Sequence, residues 1–162
     1  MTLSPTTSTP KAPVELSVDE TQERFGSGPM RTISNSYDRE RSTNGHKGLI
    51  VWQRGIQMVD AVYDLTAEFP KTELFRLSDQ MLRAAISVPS NVSEGYGRKT
   101  TGEFKQFLCI ARGSNCELET QLVIAKNRGF GSASARAKAE SLCADVSRLL
   151  RAYLKSIEDR KA

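Results

Sequence analysis

The spacing of apolar residues changes at Gly48. Before it, the chain shows no sustained period of two or 3.6 residues, whereas after it apolar residues recur three and four positions apart, as on one face of an amphipathic helix. The first such series consists of Trp52, Ile56, Val59, Tyr63, Thr66 and Phe69. We therefore predict a first helix over about Leu49 to Phe69, with this series on its apolar face and Pro70 after its end.

A second helical pattern begins near Thr72 or Leu74. Its apolar positions are Leu77, Met81, Ala85 and Val88. The next residue, Pro89, has no backbone N–H and disfavours helical geometry in the residue before it. The second helix is thus predicted to kink or restart at Pro89 and to stop at Gly95 or Gly97.

The third helix is predicted to start after Thr100, which stands three residues before Glu103 in the order of a capping box. A regular seam with alternating spacings of four and three follows, as in coiled-coil packing. Its members are Phe104, Leu108, Ala111, Asn115, Leu118, Leu122 and Ala125. Asn115 is the one polar member, and we expect it to hydrogen-bond a neighbouring helix; a role in setting register or partner choice is the alternative.

The rest of the third helix is poor in charge. Phe107, Ile110, Ser114, Gln121 and Ile124 widen the apolar arc, while Cys109, Gly113, Cys116, Thr120 and Val123 leave the opposite side small and uncharged. A helix with so little solvated surface should be buried on more than one side, so we expect part of it to contact another subunit.

Gly129 and Gly131 are predicted to end the third helix, and a fourth is predicted from about Ser132 to Lys161. Four helices joined by short loops predict an all-α, up-down-up-down antiparallel four-helix bundle. We assign the bundle to residues 47–162. Residues 1–46, rich in Ser, Thr, Pro and Gly, are predicted to be a disordered tail.

Composition narrows the class of protein further. The chain has 162 residues without an apolar run long enough to span a bilayer, and its start lacks the features of a secretory signal. Its three cysteines form no CxxC motif, which favours a reducing, cytoplasmic location. Cys109 and Cys116 stand too far apart on one helix to form a bridge and are expected to be small packing residues.

Catalytic motifs are nearly absent. His46 is the only histidine and lies at the edge of the tail, so neither a Ser/His/Asp nor a Cys/His arrangement fits within the bundle. The segment from Gly95 to Thr100 lacks the glycine before lysine that a phosphate-binding loop requires, and no helical histidine supports a di-metal centre. We therefore expect no enzyme activity, no cofactor and no metal.

Polar residues in the second and third helices are candidates for a structural network. They are Ser90, Asn91, Glu94, Arg112, Glu117 and Glu119. Arg112 and Glu119 are seven residues apart on one helix face, with Glu94 as a further partner, and a structural ion network is favoured over a functional anion site.

Several segments together resemble the bacterial four-helix bundle proteins encoded by intervening sequences in 23S rRNA genes. These are LIVWQRGIQMV from Leu49, the Phe69-Pro70 pair, LSDQMLRAAISVPSNVSEGYGR from Leu77, EFKQFLCIARGS from Glu103 and ELETQL from Glu117. The resemblance implies a homopentamer with a central opening. It also implies similarity to the accessory variability proteins of diversity-generating retroelements, which bind nucleic acid and a reverse transcriptase.

Charge supports the first of two function hypotheses. Residues 46–162 hold 18 basic and 13 acidic side chains, which favours contact with a polyanion. A non-catalytic, oligomeric module that binds RNA or DNA would use as phosphate contacts Arg54, Arg83, Arg98, Lys99, Lys105 and Arg112. The alternative is a protein-interaction scaffold without a nucleic-acid role, for example a partner of a reverse transcriptase.

Overall fold

A computed structural model of the chain describes residues 45–159. Within this range the chain forms no strands and four long helices: α1 (Ile50–Ala67), α2 (Asp79–Tyr96), α3 (Thr101–Arg128) and α4 (Ala133–Asp159). None of these helices is long and apolar enough to cross a membrane. The predicted all-α class is confirmed for this part of the chain.

Short helical turns precede α1 and α2. They are a 3-10 turn at Gly45–Gly48, a second at Lys71–Glu73 and a π turn at Leu74–Ser78. Gly45 and His46, which the sequence places in the tail, belong to the first of these turns. The remainder of the predicted tail lies outside the described residues, as does the predicted end of the fourth helix at Lys161.

Each helix packs against the next, and α4 packs against α1. Ser87 of α2 and Ser114 of α3 share a hydrogen bond of 2.9 Å between their hydroxyl oxygens. In the next pair, Asn115 of α3 donates from Nδ2 to the backbone carbonyl of Cys143 in α4 at 3.2 Å. Contacts of this kind set the up-down-up-down order of a four-helix bundle.

The predicted seam of α3 is confirmed, since all seven of its residues are buried. The capping box is also present: the Thr100 hydroxyl accepts a hydrogen bond from the Glu103 backbone N–H at 3.2 Å, and the Glu103 carboxylate accepts one from the Thr100 N–H at 3.1 Å. The pKa of Glu103 is lowered first by a hydrogen bond from the Thr100 hydroxyl to its carboxylate, at 2.7 Å, and then by the one from the Thr100 N–H, because both favour the charged form. Gly129 ends the helix with a φ of 68°, a left-handed conformation that suits glycine.

The buried face of α1 differs from the predicted one. Its buried residues are Val51, Gly55, Met58, Ala61, Val62 and Leu65. The predicted series lies beside them, and most of its residues are only half-buried. Tyr63 is 50% exposed, and Phe69 alone is buried. Gly55 lies against Pro89 of α2, and a Cβ at Gly55 would stand 3.3 Å from Cβ of Pro89, so the two helices meet closely at this point.

The restart predicted at Pro89 does not occur. Helix α2 continues through this residue to Tyr96, and the buried proline ring packs on Gly55. The irregular backbone lies earlier, at Arg76, whose φ of −118° and ψ of −106° are not helical. The proline, which cannot donate the helical hydrogen bond, is thus accommodated inside the helix where α2 meets α1.

Candidate nucleic-acid interface

Three of the six predicted phosphate contacts are paired with carboxylates of the same chain. Arg83 lies 2.7 Å from Asp79. Arg98 pairs with Glu94, and its guanidinium stands 4.8 Å from the centre of the Phe107 ring. Their charges are therefore partly neutralised, and a charge reversal at Arg98 would break an ion pair and a cation–π contact together.

Lys105 is the third paired cation, at 2.7 Å from Glu158 of α4. Of the other three predicted contacts, Arg54 donates to the side-chain oxygen of Gln57 at 2.7 Å, on α1. Lys99 is exposed in the turn between α2 and α3, and Arg112 is exposed on α3. Neither of these two forms an ion pair with any residue in the described range.

The structure does not bring all six residues to one place. Arg54 lies on α1, and Arg83 lines a groove between α2 and α3 with Ser87, Ser114 and Glu117. Lys105 and Arg112 lie together on α3, seven residues apart, so about 10.5 Å separates them along the axis. The Lys99 turn adjoins the end of α3 that carries Lys105.

Helix α4 adds two cations that are not among the six predicted phosphate contacts. The pairing of Lys105 with Glu158, and of Asn115 with Cys143, sets the antiparallel register of α3 and α4. In that register Arg151 and Lys155, both exposed, lie across from Lys105 and Arg112. We call the surface formed by Lys105, Arg112, Arg151 and Lys155 the α3–α4 basic face.

The field of this face acts on the acidic group beside it. The pKa of Glu158 is lowered first by the hydrogen bond from Lys105, then by the charge of Lys105 and, in smaller measure, by that of Arg112. Arg112 therefore influences charge at the far end of α4 without a direct contact. Arg151 donates to the hydroxyl of Ser147 at 3.1 Å, which holds its side chain along the same helix.

The residues of the predicted polar network have separate hydrogen-bond and ion-pair partners in the structure. Ser90 donates to the backbone carbonyl of Ile86, and Asn91 donates to the backbone carbonyl and hydroxyl of Ser87. Partners four residues away on the same helix satisfy these groups, so they need no shared network.

The charged members of the proposed network are likewise separate. Glu94 pairs with Arg98, Glu117 accepts a hydrogen bond from Gln121, and Glu119 accepts one from Asn115. Arg112 joins none of them, because each of these carboxylates has a partner four residues away on its own helix. Arg112 is left exposed to solvent on the α3–α4 basic face.

The cysteines divide into one buried and two exposed thiols. Asn115 bonds to Cys143 as expected for contact with a neighbouring helix, and the Cys143 thiol donates back to Oδ1 of Asn115 at 3.4 Å. Cys109 and Cys116 are exposed, so their predicted role in packing is wrong within a single subunit. No group of three or more His, Cys, Asp and Glu side chains in residues 45–159 could hold a metal ion.

Fold and site together define a helical bundle protein with an exposed basic face on its last two helices. A family model described as 23S rRNA-intervening sequence protein matches residues 47–152. The chain belongs to this family, whose name refers to ribosomal RNA. A comparison with curated proteins finds no match.

Proposed function

We propose that the protein is a non-catalytic, oligomeric module that binds the phosphate backbone of RNA or DNA through the α3–α4 basic face. The observation that carries the proposal is the cluster of exposed cations on two adjacent helices. Three of them, Arg112, Arg151 and Lys155, form no ion pair within the described residues. Cations without carboxylate partners can exchange bound counterions for phosphates, which is the main source of backbone affinity.

Assembly is the second part of the proposal, and the exposed surface of α3 supports it. Ile110, Val123 and Ile124 are 45%, 55% and 43% exposed on this helix. Exposed large apolar side chains on one helix are typical of protein–protein contacts. We propose a homopentamer, and the number of subunits rests on the resemblance to retroelement accessory proteins. A reverse transcriptase is proposed as a protein partner on the same resemblance. The free thiols support a cytoplasmic location.

The proposal is tested by reversing two charges of the face, Arg112→Glu with Arg151→Glu. Both side chains are exposed, so the bundle should fold. We expect the affinity for a short RNA duplex at low salt to fall at least tenfold. The slope of log affinity against log salt should become shallower by about 1.4 to 1.8, because each of the two lost phosphate contacts contributes roughly 0.7 to 0.9.

A matched control reverses two exposed lysines near the other end of the bundle, Lys71→Glu with Lys126→Glu. Its net charge equals that of the test variant, and it should keep most of the affinity. Equal losses in both variants would mean that overall charge, and not this face, governs binding. If the unaltered protein shows no binding at low salt, the proposal is wrong.

A protein-interaction scaffold is the second candidate function. It is favoured by Leu74 and Phe75, which are 56% and 88% exposed on the irregular segment before α2. Exposed apolar side chains on such a segment fit a protein partner better than a phosphate backbone. This function predicts capture of one defined protein that persists after nuclease treatment and is lost in a Phe75→Ser variant.

A further inference from the structure

A groove between α1 and α2 is rich in apolar side chains and has no assigned role. Its volume is about 280 Å³. The lining residues are His46, Trp52, Ile56, Val59, Ile86, Pro89, Ser90 and Ser93. This volume lies near the lower end of the range of about 300 to 1,000 Å³ for small-molecule sites, so the groove suits one planar ring system.

Aromatic rings are concentrated at the end of the groove where α1 begins. The His46 ring stands 5.3 Å from the Trp52 ring at an interplanar angle of 75°, and 6.3 Å from the Tyr96 ring at 64°. These edge-to-face contacts position the half-buried Trp52. The 3-10 turn that contains His46 is also bonded to α1, because the side-chain amide of Gln53 donates to the backbone carbonyl of Lys47 at 2.8 Å.

Two lysines lie close in sequence to these rings. Lys47 follows His46 directly, and Lys99, exposed in the turn after α2, follows Tyr96 by three residues. An aromatic surface with cations at its edge is the combination by which proteins hold single-stranded nucleic acid, since bases stack on rings while cations contact phosphates. The Ser90 hydroxyl, which donates to the Ile86 carbonyl, can still accept a hydrogen bond from a ligand, and the Ser93 hydroxyl can donate or accept one.

We infer that the groove binds one unpaired nucleobase of a single strand, with the flanking phosphates held by Lys47 and Lys99. This inference rests on the proposed function, because it makes the groove a second contact for the same kind of ligand. It narrows that ligand to nucleic acid with at least one unpaired base.

Trp52 is the only tryptophan of the chain, so its fluorescence reports directly on the groove. The probe is a single-stranded oligonucleotide of about 10 nucleotides, a length within the usual range of single-strand sites. Its control is an abasic strand of equal length and charge. We expect the normal strand to quench Trp52 and to bind about tenfold more tightly than the abasic strand, because one base–aromatic stack is lost.

Substitutions at the groove test whether the preference for the normal strand comes from stacking on Trp52 and not from a change in folding. Trp52→Ala should remove the advantage of the normal strand over the abasic one, and Trp52→Phe should retain most of it. Ile86→Glu should also remove it, because that residue is 40% exposed and the change adds a negative charge beside the base. Tyr63→Ala, at an exposed residue of α1 outside the groove, is the control and should change nothing.

The outcomes distinguish the two proposals. Equal binding of normal and abasic strands would overturn the groove assignment and leave backbone binding by the α3–α4 basic face intact. Quenching by the normal strand without any binding of the abasic strand would support the groove and contradict the basic face. Fluorescence that no strand alters would mean that a second copy or the chain's own N-terminal residues cover the groove, which also overturns the inference.

Discussion

Cys143 lies in the interior between α3 and α4, with its thiol directed at Asn115. Burial raises the pKa of this thiol to about 12, and the negative charge of Glu119 adds to the effect. The side chain of Asn115 fills its hydrogen-bonding capacity with Cys143 and Glu119, so a polar residue can occupy the seam without an unpaired group. This pair explains why the seam tolerates its one polar position.

The raised pKa of Cys143 gives the protein a specific weakness at alkaline pH. The unfolded thiol ionises near 9.0, whereas the folded thiol stays protonated up to about 12. Stability from this group is thus complete below pH 9.0 and is lost as pH rises toward 12. Over that interval the free energy of unfolding should fall more steeply with pH in the unaltered protein than in Cys143→Ala. The difference between the two slopes should be about 1.4 kcal/mol per pH unit.

Urea unfolding of both proteins across this pH range measures the difference. Cys143→Ala should be less stable at neutral pH, since it loses packing and two hydrogen bonds, so only the change with pH tests the argument. Parallel curves for the two proteins would show that the Cys143 thiol ionises in the folded state as easily as in the unfolded one.

At the scale of helices, the close approach of α2 and α3 depends on Gly95. A Cβ at this position would stand 2.6 Å from Cβ of Phe107 and 3.0 Å from Cδ2 of Phe104. Since the Phe107 Cβ is fixed to the α3 backbone and Phe104 is buried in the core, we expect Gly95→Ala to lower the free energy of unfolding by about 1 to 3 kcal/mol. Thermal or urea unfolding gives the value.

Gly97→Ala is the matched control for Gly95→Ala. The nearest atom to a Cβ at Gly97 is the Glu94 carbonyl oxygen at 3.4 Å, an ordinary contact, and its φ of −72° suits alanine. Its stability should change by less than about 0.5 kcal/mol. Equal effects of the two substitutions would show that helix ending, and not contact between α2 and α3, makes glycine necessary here.

Helix positions were predictable from spacing, but the orientation of a helix depended on its neighbours. The α3 seam was predicted fully because, of the series on that helix with the required spacing, only this one is built mainly of large apolar residues. Helix α1 carries two adjacent apolar series, and the contact of Gly55 with Pro89, which no local pattern reveals, decides which one is buried. The same contact keeps α2 continuous where a local rule predicted a restart.

The candidate site shows the same limit. Lys105 and Arg112 could be found because they share a face of one helix. The spacing of Arg151 and Lys155, four residues apart on α4, predicts that both lie on one face of that helix. Their position across from α3 follows only from the register of the two antiparallel helices. The pairing of Lys105 with a carboxylate was equally unpredictable from the sequence, since its partner Glu158 is 53 residues away along the chain.

At the scale of the whole molecule, α3 carries a second regular surface opposite its buried seam. Its exposed members alternate spacings of three and four and include no charged residue. They are Gln106, Cys109, Gly113, Cys116, Thr120, Val123 and Asn127. Small residues at this spacing let another helix approach closely, so this surface is where we expect a second subunit to pack.

Gly113→Glu tests assembly without disturbing the subunit. Nothing lies within 4 Å of a Cβ at Gly113, and replacing glycine inside a helix should stabilise the single subunit by up to about 1 kcal/mol. In an assembled protein the same change would bury a charge between subunits, at a cost of several kcal/mol. We therefore expect a folded monomer where the unaltered protein is an oligomer, as measured by native mass spectrometry.

Ala137→Glu, which adds the same charge at an exposed position on α4, should leave assembly unchanged. Thiol labelling gives an independent measure, because Cys109 and Cys116 flank Gly113 on the same surface. Both thiols should react slowly in the oligomer and quickly in Gly113→Glu. An oligomer that survives Gly113→Glu with both thiols still reactive would place the subunit contact on another part of the bundle.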